Sequence, residues 1–384
     1  MNSEVDERNI LERKDFGPIA AATLRDVIGS PPAPEEAMNY AVRLSSGTTG
    51  GSLLVGMHRT SALTYRVPLT KRWYAESDRT LYCFGPVSLR LFSILDAQKF
   101  GKDALYLPID VADLTEGITP LLADFAPDKI LGIPSYVIHA APYMDTKTRS
   151  NVRAINVYGE LLTKTLQDMI ANFFPNAKMR SLYAISEVGA ISTVSCDYQE
   201  PNRYHPRPGV TVEIHDPDTE GVGDLLVSMR LNQIIPVQRY RTGDMAKMHE
   251  APCPCGEKNT FEILGRRGYD YIKLVGVTLR QEECERVAKL LHAFDDYRLE
   301  ASNVAEGPRL KGKIILRIFR KDGVGTKDLA HEIGERFSRE LYLTPTRTLA
   351  DLVAEGICAP LSVEFVEEPF PQKHKDIKLI ERQS

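Results

Sequence analysis

One loop near residue 50 is rich in the residue types that hold phosphate. It follows an apolar, strand-like stretch (residues 40–44) and consists of Ser45, Ser46, Gly47, Thr48, Thr49 and Gly50. Glycines let the backbone approach an anion closely, while hydroxyl groups and successive amide N–H groups donate hydrogen bonds. The lysine of the G-x-x-x-x-G-K-[ST] loop is missing, because Gly51 and Ser52 follow. The loop therefore predicts a phosphate contact of another kind, and an ordinary turn is the alternative.

Further residues with chemical potential follow this loop in a definite order. They are Tyr183, Ser186 and Glu187 in one segment, Asp244 at the end of a Tyr-Arg-Thr-Gly-Asp stretch, Arg266 after a glycine, Gly276 in Lys-Leu-Val-Gly, and Lys375 near the end. An aspartate after a glycine turn can accept hydrogen bonds from two neighbouring sugar hydroxyl groups, although turn aspartates are also common in solvent. The order of the motifs is more informative than any one of them.

This ordered series resembles the adenylate-forming superfamily, which comprises acyl-CoA synthetases, nonribosomal-peptide adenylation domains and luciferases. Three segments resemble its phenylacetate-CoA ligase branch, namely residues 133–136 (Ile-Pro-Ser-Tyr), 186–188 (Ser-Glu-Val) and 252–256 (Pro-Cys-Pro-Cys-Gly). The resemblance covers roughly residues 40–380. It implies ATP-dependent activation of a carboxylic acid to an acyl-adenylate with release of pyrophosphate. Transfer of the acyl group to a thiol, most simply that of coenzyme A, would follow.

The resemblance implies a role for each nucleotide-binding motif. The loop hydroxyl groups would bind the β- and γ-phosphates, Ser186 the α-phosphate and Glu187 a Mg²⁺ ion, since charge must be neutralised where two anions meet. Tyr183 would stack on adenine, and Asp244 would bind the ribose, with Arg266 as a second ribose or phosphate contact. A weaker match covers two residues beside the adenine and acyl sites, Gly159 and Glu160.

Lys375 has the place of the catalytic lysine of these relatives, which bridges the acyl carboxylate and the α-phosphate. A compact ammonium on a flexible stem suits such a transient bridge. Lys378 and, after it, Lys373 are the alternative candidates for this lysine, and an ordinary charged run is a further alternative. His374 replaces the glycine that usually precedes the catalytic lysine.

The thiol-transfer step is implied to use a different loop. Gly276 matches the position that lines the thiol tunnel of relatives, where a side chain would obstruct the thiol. The C-terminal domain of relatives rotates between the two steps. Gly268 and Asp270 are the candidates for the hinge, because hinge residues absorb large φ/ψ changes.

The acyl pocket is implied by comparison with relatives to include one aromatic or apolar residue from each of four segments. These are Phe84, Tyr136, Tyr158 and Ile185. Their character predicts an aryl or other apolar acid. Packing in the protein core is the alternative for each of them.

A structural zinc site is predicted from three cysteines and a histidine. Cys253 and Cys255 form a short thiol pair, and Cys196 and His205 lie upstream. Together they could form a tetrahedral Cys₃His site. The C-x-C spacing is unusual for zinc, so unconnected thiols and a surface histidine are the alternative.

Composition excludes several classes of function. The net charge of −4 and the scattered basic residues indicate no nucleic-acid or membrane surface. The polar N-terminus and the absence of long apolar runs predict no signal peptide and no spanning helix. Isolated cysteines suit a reducing cytoplasm. The expected partners are a small carboxylic acid and coenzyme A or a carrier-protein thiol, and relatives suggest a homodimer.

The elements that must position these residues follow an α/β pattern. Strands are predicted at residues 104–109, 129–133 and 153–157, with helices at 118–125 and 161–174. An antiparallel β subdomain is predicted from residue 208, with strands at 210–215 and 223–228. A small α+β lid is predicted with helices at 281–291 and 327–341, strands at 297–301 and 313–319, and a last strand at 361–366. The expected domains are residues 1–266, which would bind AMP, and the mobile lid, 267–384.

Two alternatives to a CoA ligase remain at this stage. One is adenylation with another acceptor, such as a carrier protein, an amine, or a cofactor that receives AMP as in the coenzyme F390 synthetases. The other is a non-catalytic nucleotide-binding relative. About forty residues precede the phosphate loop, fewer than in the phenylacetate-CoA ligase branch, so a minimal variant with an unusual substrate is expected.

Overall fold

A computed structural model shows a mixed α/β protein, as the sequence predicts. It describes residues 10–30, 40–44, 55–59, 79–83, 105–109, 114–185, 187–190, 192, 198, 202–229, 237–266, 271–291, 295–307, 309–323, 325–344, 346–370 and 379–381. Within these residues, none of the helices carries an apolar stretch long enough to span a bilayer.

The N-terminal residues form a helix and a hairpin. Helix α1 (Arg13–Gly29) contains Pro18 and is an addition to the predicted elements. Strands β1 (Tyr40–Leu44) and β2 (Val55–Arg59) pair antiparallel, with Leu44 opposite Val55. The residues of the predicted phosphate loop, 45–50, stand between these two strands in the sequence and lie outside the described residues.

A five-stranded parallel sheet forms the first part of the chain. Its strands are β3 (Arg79–Cys83), β4 (Leu105–Ile109), β5 (Lys129–Gly132), β6 (Ala154–Tyr158) and β7 (Lys178–Leu182). The helices in the connections are α2 (Thr119–Phe125), α3 (Pro134–Ala140), α4 (Thr146–Asn151) and α5 (Lys164–Phe173). The three predicted strands are confirmed to within one residue. Helix α5 starts later than predicted because the side chain of Thr163 caps it by accepting a hydrogen bond from the N–H of Leu166.

The strand order of this sheet is β4-β3-β5-β6-β7, so the order reverses between β3 and β5. In open α/β sheets the crevice outside the carboxyl ends of the strands at such a reversal is where ligands bind. The two strands approach closely there, since a Cβ atom at Gly132 would lie 2.3 Å from the carbonyl oxygen of Cys83. Residues 84 and 133–136 follow directly.

The antiparallel β subdomain is confirmed. Its sheet has the order β10-β14-β13-β12-β11 and contains β10 (Arg203–Tyr204), β11 (Val210–His215), β12 (Gly223–Met229), β13 (Val237–Met248) and β14 (Phe261–Arg266). A small hairpin of β8 (Ala184–Ile185) and β9 (Gly189–Ala190) precedes it. Helix α1 covers the sheet, and its buried Phe16 ring lies 5.4 Å from the ring of Tyr240.

The C-terminal part has the predicted α+β composition. It contains the hairpin β15 (Tyr271–Leu274) and β16 (Val277–Arg280), and helices α6 (Gln281–Leu291), α7 (Lys327–Glu340) and α8 (Leu349–Ala354). Its sheet, β19-β18-β17-β20, consists of β17 (Asp296–Glu306), β18 (Arg309–Phe319), β19 (Ser362–Val366) and β20 (Leu379–Glu381). The strand predicted at 361–366 is confirmed as β19, but the prediction that it is the last strand is wrong. Strand β20 follows it and pairs parallel with β17. The sequence does not predict β20, because three residues are too few to show a period.

One apolar cluster contains buried residues of both the parallel sheet and the C-terminal part. It joins Ile130 and Val157 to Leu274, Leu299 and Leu316, all of which have almost no exposed surface. Helix α3 packs against β18 in this cluster. The carboxyl end of β5 and the hairpin β15–β16 therefore meet across a shared apolar core.

Candidate active site

The site contains a carboxylate that is held from two sides. The Tyr183 hydroxyl group donates a hydrogen bond to Oδ2 of Asp244 (2.5 Å), and Arg266 Nε donates to Oδ1 (2.7 Å). Asp244 and Arg266 lie directly opposite each other on β13 and β14. Only 5% of Asp244 is exposed. Because a carboxylate can accept about four hydrogen bonds, each oxygen of Asp244 retains capacity for one more donor.

The local backbone explains this geometry. Gly243 has a φ of +80°, which a glycine adopts without strain. The turn lets the N–H of Asp244 donate to the hydroxyl oxygen of Thr242 (3.1 Å). Burial and the charge of Asp244 raise the pKa of Tyr183 well above its usual value, so its hydroxyl group remains a donor. Burial opposes the charge of Arg266, but the combined effects of Asp244, Tyr271 and Tyr183 outweigh burial and raise the pKa of the guanidinium group.

A second carboxylate, that of Glu187, also accepts a hydrogen bond from a tyrosine, and this tyrosine lies four residues before Asp244 on β13. The hydroxyl group of Tyr240 donates to Oε1 of Glu187 (3.1 Å), and both residues are buried. Tyr240 and Asp244 are on one strand, and Tyr183 and Glu187 flank β8, the first strand of the hairpin β8–β9. Two motifs that are more than fifty residues apart in sequence are therefore joined antiparallel, with 183 bonded to 244 and 187 bonded to 240.

The crevice at the end of the parallel sheet contains the next group of predicted residues. Glu160 follows β6, and its Oε2 accepts the N–H of Ser135 at the start of α3 (2.9 Å). Gly159 has a φ of +81°, which turns the chain after the strand. Tyr136 and Tyr158 are half-buried at the ends of adjacent elements. The structure thus brings Gly159, Glu160 and Tyr136 to the point where the strand order reverses.

The hairpin β15–β16 extends the site from the C-terminal part. The guanidinium group of Arg266 lies 4.4 Å from the centroid of the Tyr271 ring, and Lys273 Nζ lies 5.9 Å from the same centroid. Lys273 Nζ also donates to the hydroxyl oxygen of Thr278 (2.7 Å). Burial lowers the pKa of Lys273 to about 8, with an opposing attraction from Glu160. A cation–π contact therefore connects the Asp244 cluster to this hairpin.

Gly276 lies at the turn of the same hairpin. Its carbonyl oxygen accepts a hydrogen bond from the Tyr136 hydroxyl group (3.2 Å). Its φ is +86°, and a Cβ atom there would lie 1.8 Å from Cε1 of Tyr136. The space that the glycine leaves open is filled by the aromatic ring of a predicted pocket residue.

The proposed zinc ligands are partly brought together. The ligand atoms of His205, Cys253 and Cys255 all lie within 4.8 Å of one another, and Cys255 Sγ is 4.0 Å from His205 Nε2. The cysteines lie in a tight turn in which the N–H of Gly256 donates to the carbonyl oxygen of Cys253 (2.8 Å). One histidine nitrogen and two thiols suit zinc chemically. Cys196 lies outside the described residues.

Several predicted site residues also lie outside the described part of the chain. They are Ser45, Ser46, Gly47, Thr48, Thr49, Gly50, Phe84, Ser186, Gly268, Asp270 and Lys375. Their roles stay predictions.

Three residues of the site escaped the sequence analysis as individual candidates. Tyr240 and Asp244 are separated by an even number of positions on a strand whose buried residues alternate, so this period could have revealed Tyr240. Tyr271 and Lys273 are likewise two residues apart on β15 and share a face. Their contacts depend on the position of the hairpin against Arg266, which no local pattern contains.

Comparison with characterised protein sequences finds two phenylacetate-coenzyme A ligases. No family model matches the chain. The chain is 23% identical over 306 residues to the phenylacetate-coenzyme A ligase of Escherichia coli (strain K12), in a match that covers 73% of this chain and 68% of that enzyme. It is 25% identical over 350 residues to the phenylacetate-coenzyme A ligase of Thermus thermophilus, in a match that covers 87% and 74% respectively.

Solved structures show the same fold. A 2-hydroxyisobutyryl-CoA ligase with its acyl-AMP and CoA, in the thioester-forming state, matches with a TM-score of 0.64 at 14% identity, over 97% of this chain and 80% of that one. The same ligase in its postadenylation state matches with a TM-score of 0.53 at 15% identity, over 97% and 79%. The resemblance to the adenylate-forming enzymes, and to their phenylacetate-CoA ligase branch, is confirmed, and the chain has their fold.

Proposed function

We propose that this protein is an AMP-forming acid–thiol ligase, which activates a carboxylic acid with ATP and transfers the acyl group to coenzyme A. The observation that carries the proposal is the joining of two motifs, through Tyr183 to Asp244 and Tyr240 to Glu187. It fixes two buried carboxylates beside the crevice at which the strand order reverses. Sequence similarity to two phenylacetate-coenzyme A ligases supports the reaction class.

The nucleotide would bind with its ribose at Asp244. The free acceptor positions of this carboxylate suit two neighbouring hydroxyl groups, and Tyr183 and Arg266 keep it in place. Because these two contacts orient the carboxylate, they suit it to a fixed ribose position. Adenine would then lie against the Tyr183 segment, and Gly159 would allow close approach of the backbone.

Magnesium fits the chemistry of Glu187. A carboxylate oxygen is a ligand that Mg²⁺ prefers, and the hydrogen bond from Tyr240 orients it. When bound, the ion supplies positive charge to the phosphates. Ser186 and the loop at residues 45–50 are proposed to contact the phosphates, and Lys375 to bridge the acyl carboxylate and the α-phosphate.

The acid is proposed to be aryl or otherwise apolar. Tyr136, Tyr158 and Ile185 present aromatic or aliphatic surface that is only partly buried, and Phe84 follows the neighbouring strand. Coenzyme A is the preferred acceptor because both curated relatives are CoA ligases by name. The buried residues Cys83, Cys284 and Cys358 are free thiols, which supports a reducing compartment such as the cytoplasm.

The first experiment is pyrophosphate release with ATP and Mg²⁺ across aryl, arylacetic and short aliphatic acids, each with and without coenzyme A. Turnover that requires both an acid and coenzyme A supports the proposal. Pyrophosphate release that is independent of coenzyme A but requires an amine or a carrier protein assigns a different acceptor. No pyrophosphate release with any acid, together with measurable nucleotide binding, supports a non-catalytic relative.

The thiol–histidine cluster is proposed to hold structural zinc. With Cys196 it would have four ligands and no open position, so zinc would stabilise the β subdomain and take no part in the reaction. We expect near-stoichiometric zinc in the purified protein, falling in a Cys253→Ser variant and unchanged in Cys284→Ser, whose thiol is buried in the core. Metal-free parent protein would refute the site.

A further inference from the structure

Tyr136 contacts the backbone of the C-terminal part at Gly276. Its hydroxyl group donates to the carbonyl oxygen of Gly276 (3.2 Å). Its ring lies so close that a Cβ atom on Gly276 would be 1.8, 2.4 and 3.0 Å from three ring carbons. Real Cβ atoms do not approach other atoms this closely, so only glycine is compatible with the ring at this position.

The loop around Gly276 is held in the shape that receives the ring. The N–H of Val275 donates to Oδ1 of Asn303 (2.8 Å), which ties the turn to β17. Val275 itself has a φ of +45°, an uncommon conformation for a β-branched residue. A turn with two successive positive φ values, one of them unfavourable, is maintained by surrounding contacts. The carbonyl oxygen of Gly276 is thereby aimed at α3.

The other side of the contact is the crevice of the parallel sheet. Tyr136 is the third residue of α3, directly after β5 and the strand reversal. The neighbouring Ser135 N–H is bonded to Glu160 at the end of β6. A ligand bound at this end of the sheet would contact the same tyrosine that contacts the C-terminal hairpin. The position of the Tyr136 ring would then respond both to the ligand and to the hairpin.

We propose that Tyr136 is a positioning residue that couples the acyl crevice to the Gly276 turn and thereby docks the C-terminal part for thioester formation. The proposal rests on the proposed function and adds a second reason for the glycine. Glycine here makes room for the tyrosine ring, in addition to any room it leaves for the thiol. The position of the ring links the state of the crevice to the hairpin that carries Lys273.

The decisive experiment compares Gly276→Ala with Gly276→Ala/Tyr136→Ala. We expect Gly276→Ala to slow single-turnover thioester formation from preformed acyl-adenylate on the order of 30-fold, through overpacking. Pyrophosphate release in the first step should change less than about threefold, since the Asp244 cluster is untouched. Tyr136→Ala alone removes the docking contact and should itself slow thioester formation, so adding Gly276→Ala to it should cost less than about threefold further. If Gly276→Ala still costs about 30-fold in the Tyr136→Ala background, the glycine does not serve Tyr136 and the proposal is overturned.

Two further variants measure the effect of the Tyr136 hydroxyl group and the effect of backbone strain separately from the steric clash. Tyr136→Phe keeps the ring, so it should slow thioester formation about fivefold, the weight of one neutral hydrogen bond, and slow pyrophosphate release by a smaller factor. Gly221→Ala is the matched control for backbone strain, because Gly221 has a φ of +77° and a Cβ atom there meets nothing within 4 Å. It should leave both steps unchanged. Equal slowing of both steps by Tyr136→Phe would contradict a docking role.

Thermal unfolding of the same variants tests the contact without any activity. Gly276→Ala should lower the Tm more than Gly221→Ala, and the loss should shrink in the Tyr136→Ala background. A coupling in Tm with no pyrophosphate release by the parent protein would support the contact and refute the ligase reaction. Independent effects of the two substitutions on Tm would refute the contact whatever the activity.

Discussion

The two sides of the candidate site are held by different kinds of interaction. On the nucleotide side, a charge is paired with donors within the protein, as Asp244 accepts from both Tyr183 and Arg266. At the hairpin β15–β16, the contact with α3 includes a neutral hydrogen bond from Tyr136 and the packing of its ring on Gly276. Charge-assisted hydrogen bonds are roughly twice as strong as neutral ones. The first side is suited to remain rigid, and the second is suited to form and break.

Substitution of Lys375 tests whether the C-terminal part supplies a charge to the rigid side. Lys375→Ala should slow acyl-adenylate formation on the order of 1,000-fold and leave ATP binding largely intact, because the contact is made chiefly in the transition state. Single-turnover pyrophosphate release and nucleotide binding measure the two effects. Lys373→Ala and Lys378→Ala are the matched controls. Equal rates for Lys375→Ala and the parent would refute the assignment.

Substitution of Asp244 breaks the paired charge itself. Asp244→Asn removes the carboxylate beside Arg266, and we expect kcat/KM for ATP to fall about 100-fold, equivalent to about 3 kcal/mol. Asp168→Asn, on the exposed side of α5, controls for loss of a surface charge. An unchanged KM for ATP in the Asp244 variant would show that the ribose binds elsewhere.

Lys273, on the hairpin β15–β16, should make the stability of the protein depend on pH. Its pKa is lowered by burial to about 8, below the value of about 10.4 in an unfolded chain. Between these values the unfolded state binds more protons, so the free energy of unfolding rises with pH, by about 3 kcal/mol in total. Below pH 8 both states carry the charge and the slope disappears.

Urea denaturation across pH 7 to 11 measures this slope. Lys273→Met should flatten it, whereas Lys289→Met, on the exposed face of α6, should not. If the stability of the parent fell between pH 8 and 10 relative to that of Lys273→Met, the assigned direction of the pKa shift would be wrong.

Substitution of Tyr240 on the nucleotide side has the smallest expected effect. Tyr240→Phe removes one hydroxyl group that orients Glu187, so the Mg²⁺ concentration for half-maximal activity should rise about fivefold, or about 1 kcal/mol. The KM for the acid should stay constant. Tyr342→Phe, which is exposed, is the control. The same Mg²⁺ requirement in parent and variant would remove Tyr240 from the positioning of the metal ligand.

The sequence predicts the nucleotide side better than the hairpin side for a physical reason. Tyr183, Asp244 and Arg266 belong to short motifs whose order resembles that of the adenylate-forming enzymes, and the structure brings them together. Three of the five strands of the parallel sheet are predicted to within a residue, because their apolar runs are long enough to show a pattern. Strand β20, with three residues, is not.

Long-range contacts are what the sequence could not supply. The bond from Tyr240 to Glu187 depends on how a strand meets a hairpin more than fifty residues earlier. The lowered pKa of Lys273 depends on burial, and the packing of Tyr136 on Gly276 depends on how two parts of the chain meet. Each is a property of tertiary packing, which overrides local propensity.

The central claim is that ATP is cleaved to AMP during formation of a thioester. The most direct test is one reaction of the parent protein with ATP, Mg²⁺, coenzyme A and an accepted acid, in which AMP, pyrophosphate and acyl-CoA are quantified together. The account predicts one AMP and one pyrophosphate for each thioester formed. Formation of ADP and phosphate, or a thioester without consumption of nucleotide, would contradict it.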